Sequence, residues 1–146
     1  MKKLVLLISS IALLGVFGQA VYGCSCREVE TDKKQRVNYK KWLKGFDGAV
    51  FVGQVAKIEQ AESRHQVKVT FEVEKYWKGV EATEVSIHTA RDSAACGVGY
   101  VEGKKYFVIA NRHESKFHID LCSWLGYSKN EKAYLKGLGK GKKPGT

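Results

Sequence analysis

The clearest pattern in the chain is an alternation of apolar and polar residues over positions 66–77. The apolar members are Val67, Val69, Phe71 and Val73. The polar members are Gln66, Lys68, Thr70, Glu72 and Glu74. Because successive side chains of a strand point to opposite faces, this alternation predicts a strand with one buried face.

Four further segments carry strand signals. Residues 49–59 are rich in Val, Phe and Ile, which predicts a strand buried on both faces, and Gly53 in its middle indicates a bulge or a sharp bend. The other predicted strands cover residues 84–90, 104–111 and 116–122. In the last of these, Phe117, Ile119 and Leu121 alternate with polar residues, so the strand is expected to reach Cys122.

Helical spacing and turn signals complete the fold prediction. Apolar residues recur at helical intervals over 33–46, and a capping-box sequence from Ser128 to Glu131 predicts a helix that runs to about Leu138. Five strands with peripheral helices predict a mainly β fold, a five-stranded Greek-key barrel of OB type with flanking α-helices. A β-sandwich fits the same periodicity.

The first 23 residues have the order of a secretory signal peptide. Lys2 and Lys3 precede an apolar run over 4–18, and small residues follow. The run is shorter than the roughly 20 residues that span a bilayer. Cleavage after Gly23 would start the mature chain at Cys24, cleavage after Ala20 also fits, and a lipobox-like sequence over 21–24 leaves lipoprotein anchoring through Cys24 open. We expect a secreted protein, extracellular or periplasmic.

Removal of the signal peptide leaves material for one domain. Of 146 residues, 123 would remain after position 23, which suits one domain over 24–138 and a flexible Gly/Lys-rich tail over 139–146. No later segment is apolar enough to cross a membrane. The signal carries two lysines and no acid, so the net charge of +10 falls by two to +8. This charge leaves an anionic surface polymer open as a partner. Export argues against nucleic acid, and we expect a monomer.

The four cysteines all lie after the signal peptide, which predicts a disulfide framework. Cys24 and Cys26 are too close in sequence to bond without strain. Two pairings remain, 24–96 with 26–122 or 24–122 with 26–96, and each would fasten the N-terminus to the domain.

The first cysteines and several predicted strands resemble those of a known protein family. The Cys-Ser-Cys sequence directly after the signal resembles the N-terminus of the tissue inhibitors of metalloproteinases and of the wider netrin-type module. Further segments resemble that family in the same order, and they are 51–55, 71–79, 93–97, 105–110 and 118–122. The resemblance covers nearly all of residues 24–135 and implies an OB barrel with flanking helices. It also implies the pairing Cys24–Cys96 and Cys26–Cys122.

The resemblance further implies a mode of action. The free amine and the carbonyl of Cys24 would chelate the catalytic zinc of a metalloproteinase, and Ser25 would enter the specificity pocket of that protease. Cys26, Ala94 and Ala95 would be protease contacts. Many netrin-type modules are not inhibitors, so a non-inhibitory secreted or lipid-anchored binding module is the alternative.

No other chemistry is indicated by the sequence. The histidines have no metal-ligand spacing, and we expect structural or solvent-exposed roles for His65, His88, His113 and His118. Paired cysteines leave no free thiol, and the sequence lacks the Gly-x-Ser-x-Gly motif of a serine nucleophile. We therefore expect no enzyme activity, no cofactor and no metal of the protein's own.

Overall fold

The computed structural model describes Cys24, Cys26 and residues 38–128 and 130–145. The strands are β1 (Gly48–Gln60), β2 (Gln66–Lys78), β3 (Glu84–Ala90), β4 (Lys105–His113) and β5 (Lys116–His118). The helices are α1 (Tyr39–Gly45), α2 (Leu121–Ser128) and α3 (Glu131–Leu138), with a 3₁₀ turn at Ser93–Ala95. The predicted helix over 33–46 is observed from Tyr39, and residues 33–37 lie outside the described part.

The five strands form a closed barrel in the order β1-β2-β3-β5-β4, with β4 returning to β1. All neighbours are antiparallel except β3 and β5, whose short parallel pairing joins Ile87 to Phe117 and His88 to His118. Closure into a barrel removes the exposed sheet edges that a sandwich would keep. The prediction of a mainly β protein with a five-stranded OB-type barrel is confirmed.

Strand β1 bends to pair with two neighbours. Its register against β2 shifts between Val52 and Gly53, as the glycine predicts. A Cβ on Gly53 would lie 2.7 Å from the carbonyl oxygen of Glu72, so no larger residue fits without displacing β2. The bulge lets one long strand pair with both β2 and β4.

The wall formed by β1 and β4 is buried on both faces. Inside the barrel, its side chains join the main core with Phe71 and Ile87. The side chains that this wall contributes to the inner core are Ala49, Phe51, Val55, Val108 and Ala110. Outside, a second cluster joins the wall to α1 and α3, with Val50, Ile109 and Leu138 buried. The two-sided burial explains why residues 49–52 are all apolar.

The segment after β5 differs from its prediction. The strand ends at His118 and the helix α2 begins at Leu121, so the prediction of a strand to Cys122 is wrong. The reason is Asp120, whose carboxylate accepts a hydrogen bond from the backbone N–H of Ser123 at 2.8 Å and thereby caps the helix. The predicted cap also moves, because Ser128 lies at the end of α2 and Asn130 is the N-cap of α3.

The C-terminal segment is hydrogen-bonded to the barrel over the residues described. The backbone of Lys142 pairs with that of Tyr76, and the indole N–H of Trp77 donates to the carbonyl of Gly139 at 3.0 Å. The backbone N–H of Gly145 donates to the carbonyl of Glu81. The composition predicts a flexible tail over 139–146, and residues 139–145 of this segment make these hydrogen bonds to β2 and to Glu81 beyond it.

Candidate functional site

Two disulfides attach the start of the domain to the barrel. Cys24 is bonded to Cys96 and Cys26 to Cys122, with Cα–Cα distances of 5.4 and 5.1 Å. Of the two pairings that the sequence leaves open, the structure contains the one implied by the family resemblance. All four cysteines are used, so no free thiol is present.

Cys96 is held in a tight turn at the end of the 3₁₀ segment. The carboxylate of Asp92 accepts a hydrogen bond from the backbone N–H of Ala95 at 2.9 Å, and the backbone carbonyl of Asp92 accepts one from Gly97 at 2.8 Å. Cys96 has a left-handed backbone with φ of 64°. A Cβ on Gly97 would lie 2.1 Å from the carbonyl oxygen of Ala90, so only glycine fits there. The turn therefore fixes the position of the Cys96 sulfur.

Cys122 lies in the first turn of α2, beside Cys96. The backbone N–H of Leu121 donates to the carbonyl of Cys96 at 2.7 Å, so the two anchoring segments are bonded directly to each other. The backbone N–H of Ile119 donates to the carbonyl of His88 at 3.0 Å, which ties the same connection to β3. Cys24 and Cys26 are thus bonded to neighbouring, hydrogen-bonded points of the barrel.

The structure brings most of the predicted site residues together. Cys24 and Cys26 are half-buried at the disulfides, whereas Ala94 and Ala95 are exposed in the 3₁₀ turn that leads to Cys96. Ser25 lies outside the described residues. The two alanines therefore flank the Cys24–Cys96 disulfide on an open surface with small side chains.

Three histidines form a row where β3 pairs with β5. They are His88 in β3, His118 in β5 and His113 at the end of β4. The ring centroids of His88 and His118 are 5.3 Å apart, and those of His113 and His118 are 5.9 Å apart. Burial lowers the pKa of His88, and the charge of His118 lowers it further. Burial, followed by the charge of His113, lowers the pKa of His118. Their surroundings therefore favour the neutral rings of His88 and His118 in the folded protein.

The described residues hold no group of three or more His, Cys, Asp or Glu side chains arranged to bind a metal. The site consists instead of Cys24 and Cys26, fixed by two disulfides, with the exposed residues Ala94 and Ala95 beside them. Such an arrangement can present fixed donor atoms to a partner protein.

Comparison with models of protein families identifies the family of this chain. A family model described as Tissue inhibitor of metalloproteinase matches residues 24–135. The chain belongs to the tissue inhibitor of metalloproteinase family. The match begins at Cys24 and includes both disulfides, so the recognition made from the Cys-x-Cys start is confirmed. A search of curated proteins found no match.

Membership in the tissue inhibitor of metalloproteinase family sets the general type of function. The family consists of secreted inhibitors rather than enzymes, and metalloproteinases are its partners. Within the described residues the longest helices have eight residues, and none is long and apolar enough to cross a bilayer.

Sequence reasoning missed two of the groups that build the site. Asp92 and Asp120 both cap the turns that position the bonded cysteines, and each precedes its turn as an aspartate N-cap does. This signal was available in the sequence. The sequence carries no such signal for the adjacency of His88 and His118, because it depends on the parallel pairing of β3 with β5.

Proposed function

We propose that the protein inhibits a zinc metalloproteinase by chelating the catalytic metal of that protease with the α-amine and carbonyl oxygen of Cys24. The observation that carries the proposal is the double attachment of Cys24 and Cys26 to adjoining points of the barrel. In this proposal the protein is exported and cleaved after Gly23, so that Cys24 is the first residue.

The chemistry of the amine supports this function. A catalytic zinc keeps one coordination position for water or substrate, and an amine with a carbonyl oxygen can replace that water. An α-amine has a pKa of about 7.7–8.0, so the neutral form that binds zinc is readily reached near neutral pH. Zinc is supplied by the protease, and the inhibitor needs no metal of its own.

The rigidity of the segment supports tight binding. A donor that is already fixed in place loses little conformational entropy when it binds. Cys24 is fixed through Cys96, whose turn is closed by Asp92 and by the glycine at position 97. In this proposal Ser25 enters the specificity pocket, and Ala94 and Ala95 lie along the cleft, where their small side chains permit close approach.

The first experiment defines the N-terminus of the exported protein. Intact mass and N-terminal sequencing without reduction should give a chain that starts at Cys24, with a free amine and two disulfides. A chain that starts at Val21, or a lipid on Cys24, would rule out chelation through this amine. The protein would then be a secreted or lipid-anchored binding module.

The second experiment tests inhibition. The chain that starts at Cys24 is compared with a chain carrying one added alanine before Cys24, against a panel of zinc metalloproteinases. Because the added residue removes the amine from its position, we expect inhibition to weaken at least about 100-fold, corresponding to roughly 2.7 kcal/mol. Equal inhibition by the two chains, both with intact disulfides, would show that the amine is not the zinc ligand.

A further inference from the structure

The parallel pairing of β3 with β5 is the shortest pairing between the strands of the barrel. It joins only Ile87 to Phe117 and His88 to His118. By comparison, β2 pairs with β3 over the whole of residues 66–72. Parallel pairs are also slightly less stable per residue than antiparallel pairs. The closed barrel therefore separates most readily between β3 and β5.

The two cysteines that hold the N-terminus lie directly beyond this pairing. On the β3 side, the hydroxyl of Thr89 accepts a hydrogen bond from the backbone N–H of Val98 at 3.0 Å, which holds the segment after Cys96. On the β5 side, Cys122 follows the last residue of the strand by four positions. The relative position of Cys96 and Cys122, and with it that of the two N-terminal cysteines, therefore depends on β3 and β5 remaining paired.

Two backbone hydrogen bonds cross from the β5 side to the β3 side. The N–H of Ile119 donates to the carbonyl of His88 at 3.0 Å, and the N–H of Leu121 donates to the carbonyl of Cys96 at 2.7 Å. Both bonds break if the two strands separate, whereas the disulfides remain. The amides of Ile119 and Leu121 therefore report whether the two sides are joined.

Two histidines lie side by side in this short pairing. His88 is only 8% exposed, His118 is half-buried, and their ring centroids are 5.3 Å apart. Protonation of both rings would place two positive charges close together and out of bulk water, which is unfavourable. Separation of the strands would expose both rings and remove this cost. The pairing is therefore most stable when the two rings are neutral.

The charged groups around the two rings do not cancel this cost. Burial is the largest cause that lowers the pKa of His88 and of His118, and the charge of a neighbouring histidine is the next largest. The nearby carboxylates raise these pKa values, but their effect is the smallest among the surrounding groups. The titratable groups that face the two rings are Lys68 of β2, His113 of β4, Lys116 of β5, and Glu62 and Glu114 in two turns.

We propose that His88 and His118 form a pH-sensitive switch, which keeps β3 and β5 paired at neutral pH and lets them separate at mildly acidic pH. We call this pair the histidine switch. Below about pH 6.5 the open form, in which the rings titrate normally, binds more protons than the closed form. Acid therefore favours the open form, in which Cys96 and Cys122 are no longer held together.

The consequence for function rests on the proposed inhibition through Cys24. Cys24 remains bonded to Cys96 in the open form, but the segment that carries it is no longer fixed at two adjoining points. A donor that is not fixed in place binds less tightly, because it must be ordered on binding. A metalloproteinase bound at neutral pH would therefore be released when the surroundings become acidic.

Hydrogen exchange of single amides, followed by NMR, measures the separation directly. The amides of Ile119 and Leu121 are the reporters, and that of Val55, which donates to the carbonyl of Lys104 at 2.9 Å, reports opening of the barrel as a whole. After correction for intrinsic exchange rates, we expect the protection of the reporters to fall at least about threefold between about pH 7.5 and about pH 5.5. At the lower pH it should also lie below the protection of Val55.

Variants test whether the histidines cause this change. His118→Gln keeps a polar side chain that does not titrate, so it should reduce the loss of protection at acid pH. His65→Gln, in an exposed turn, is the matched control and should show the same loss as the unaltered protein. Circular dichroism and intact mass check that each variant folds with two disulfides. If His118→Gln does not fold, His88→Gln takes its place with the same expected result.

Inhibition of a metalloproteinase tests the functional consequence. The inhibition constants of the unaltered chain and of His118→Gln are compared at the same two pH values. The α-amine and the protease titrate alike in both complexes, so their contributions cancel in the ratio of the two constants. We expect inhibition by the two chains to be equal at about pH 7.5, and inhibition by His118→Gln to be at least about threefold stronger at about pH 5.5.

Three results would overturn the inference. The first is equal protection of Ile119, Leu121 and Val55 at both pH values, because β3 and β5 would then separate only when the whole domain unfolds. The second is a loss of protection at acid pH that His118→Gln leaves unchanged. The third is a ratio of inhibition constants that does not change with pH. Absence of inhibition at both pH values would contradict the proposed function alone, and hydrogen exchange would still decide whether the histidine switch operates.

Discussion

The two ends of the described chain are attached to the barrel in different ways. The N-terminal cysteines are attached covalently, to a turn and a helix that are hydrogen-bonded to each other. The C-terminal segment and the helices α1 and α3 are held by apolar packing and by a few hydrogen bonds to β2. The covalent end fixes single atoms, as metal chelation requires. The packed end displays exposed lysine side chains on α3 and on the C-terminal segment.

The largest difference in stability between changes at the two ends should appear when one disulfide is removed. Replacing Cys26 and Cys122 by serine opens a loop with a sequence separation of 96 residues. We expect the free energy of unfolding, measured by urea denaturation, to fall by about 2 to 5 kcal/mol. A variant with Lys132→Gln, Lys136→Gln and Lys140→Gln, in α3 and the C-terminal segment, should lose no more than about 0.5 kcal/mol per substitution, because these side chains are exposed. Comparable losses in the two variants would contradict the distinction between the ends.

Gly97 tests whether the turn under Cys96 must be tight. Gly97→Ala places a Cβ 2.1 Å from the carbonyl oxygen of Ala90, whereas a Cβ on Gly99 would meet no atom within 4 Å. We expect Gly97→Ala to cost about 1 to 3 kcal/mol of stability by overpacking and to weaken metalloproteinase inhibition. Gly99→Ala is the matched control and should keep both properties. An unaffected Gly97→Ala protein would show that the turn has room to relax.

The histidine row makes the covalent end sensitive to pH. His88 and His118 have lowered pKa values in the folded protein, whereas the unfolded chain titrates near about 6.5. Between these values the unfolded chain binds more protons, so stability should fall as the pH falls from about 7 toward 5. Well above about 6.5 these two histidines are neutral in both states and the penalty is absent.

Variants check the origin of this pH dependence by thermal unfolding at several pH values. His118→Gln should flatten the loss of stability at low pH, because it removes one of the rings and its charge from beside the other. His65→Gln, in an exposed turn, is the control and should keep the slope of the unaltered protein. An unchanged slope in His118→Gln would assign the acid sensitivity to other groups.

The smallest effect is expected at two tyrosines whose rings are in edge contact, Tyr100 in the loop that carries Cys96 and Tyr106 in β4. The hydroxyl of Tyr100 is buried and has no hydrogen-bond partner among the described residues, whereas that of Tyr106 accepts a bond from the backbone N–H of Val101 at 3.2 Å. Tyr100→Phe should therefore be neutral or stabilise by up to about 1 kcal/mol, and Tyr106→Phe should destabilise by about 1 kcal/mol. Chemical denaturation of the two variants gives the comparison, and the reverse order would contradict it.

The sequence predicted the features that depend on local pattern. Alternation over β2 identified the inward residues Val69, Phe71 and Val73, and all three are buried in the barrel core. The helix after β5 was missed because Ile119 and Leu121 continue the strand alternation, while the Asp120 cap changes the backbone. Short apolar segments are ambiguous between strand and helix for this reason.

The features that depend on distant contacts could not be read from the pattern alone. The parallel pairing that places His88 beside His118 joins residues 30 positions apart in sequence. The disulfide partners were chosen by family resemblance and not by spacing. The C-terminal segment was expected to be flexible because its composition is rich in Gly and Lys. Its attachment comes from backbone hydrogen bonds with Tyr76 and from the indole N–H of Trp77, which composition does not reveal.

The central claim is that the amine of Cys24 binds the zinc of a metalloproteinase. The most direct measurement uses a target protease whose catalytic zinc is replaced by cobalt(II), because the visible absorption of cobalt reports its ligands. The chain that starts at Cys24 should shift this spectrum on binding, and the chain with one added alanine should not. If the unaltered chain binds the protease and the cobalt spectrum remains that of the free protease, the result would contradict the account.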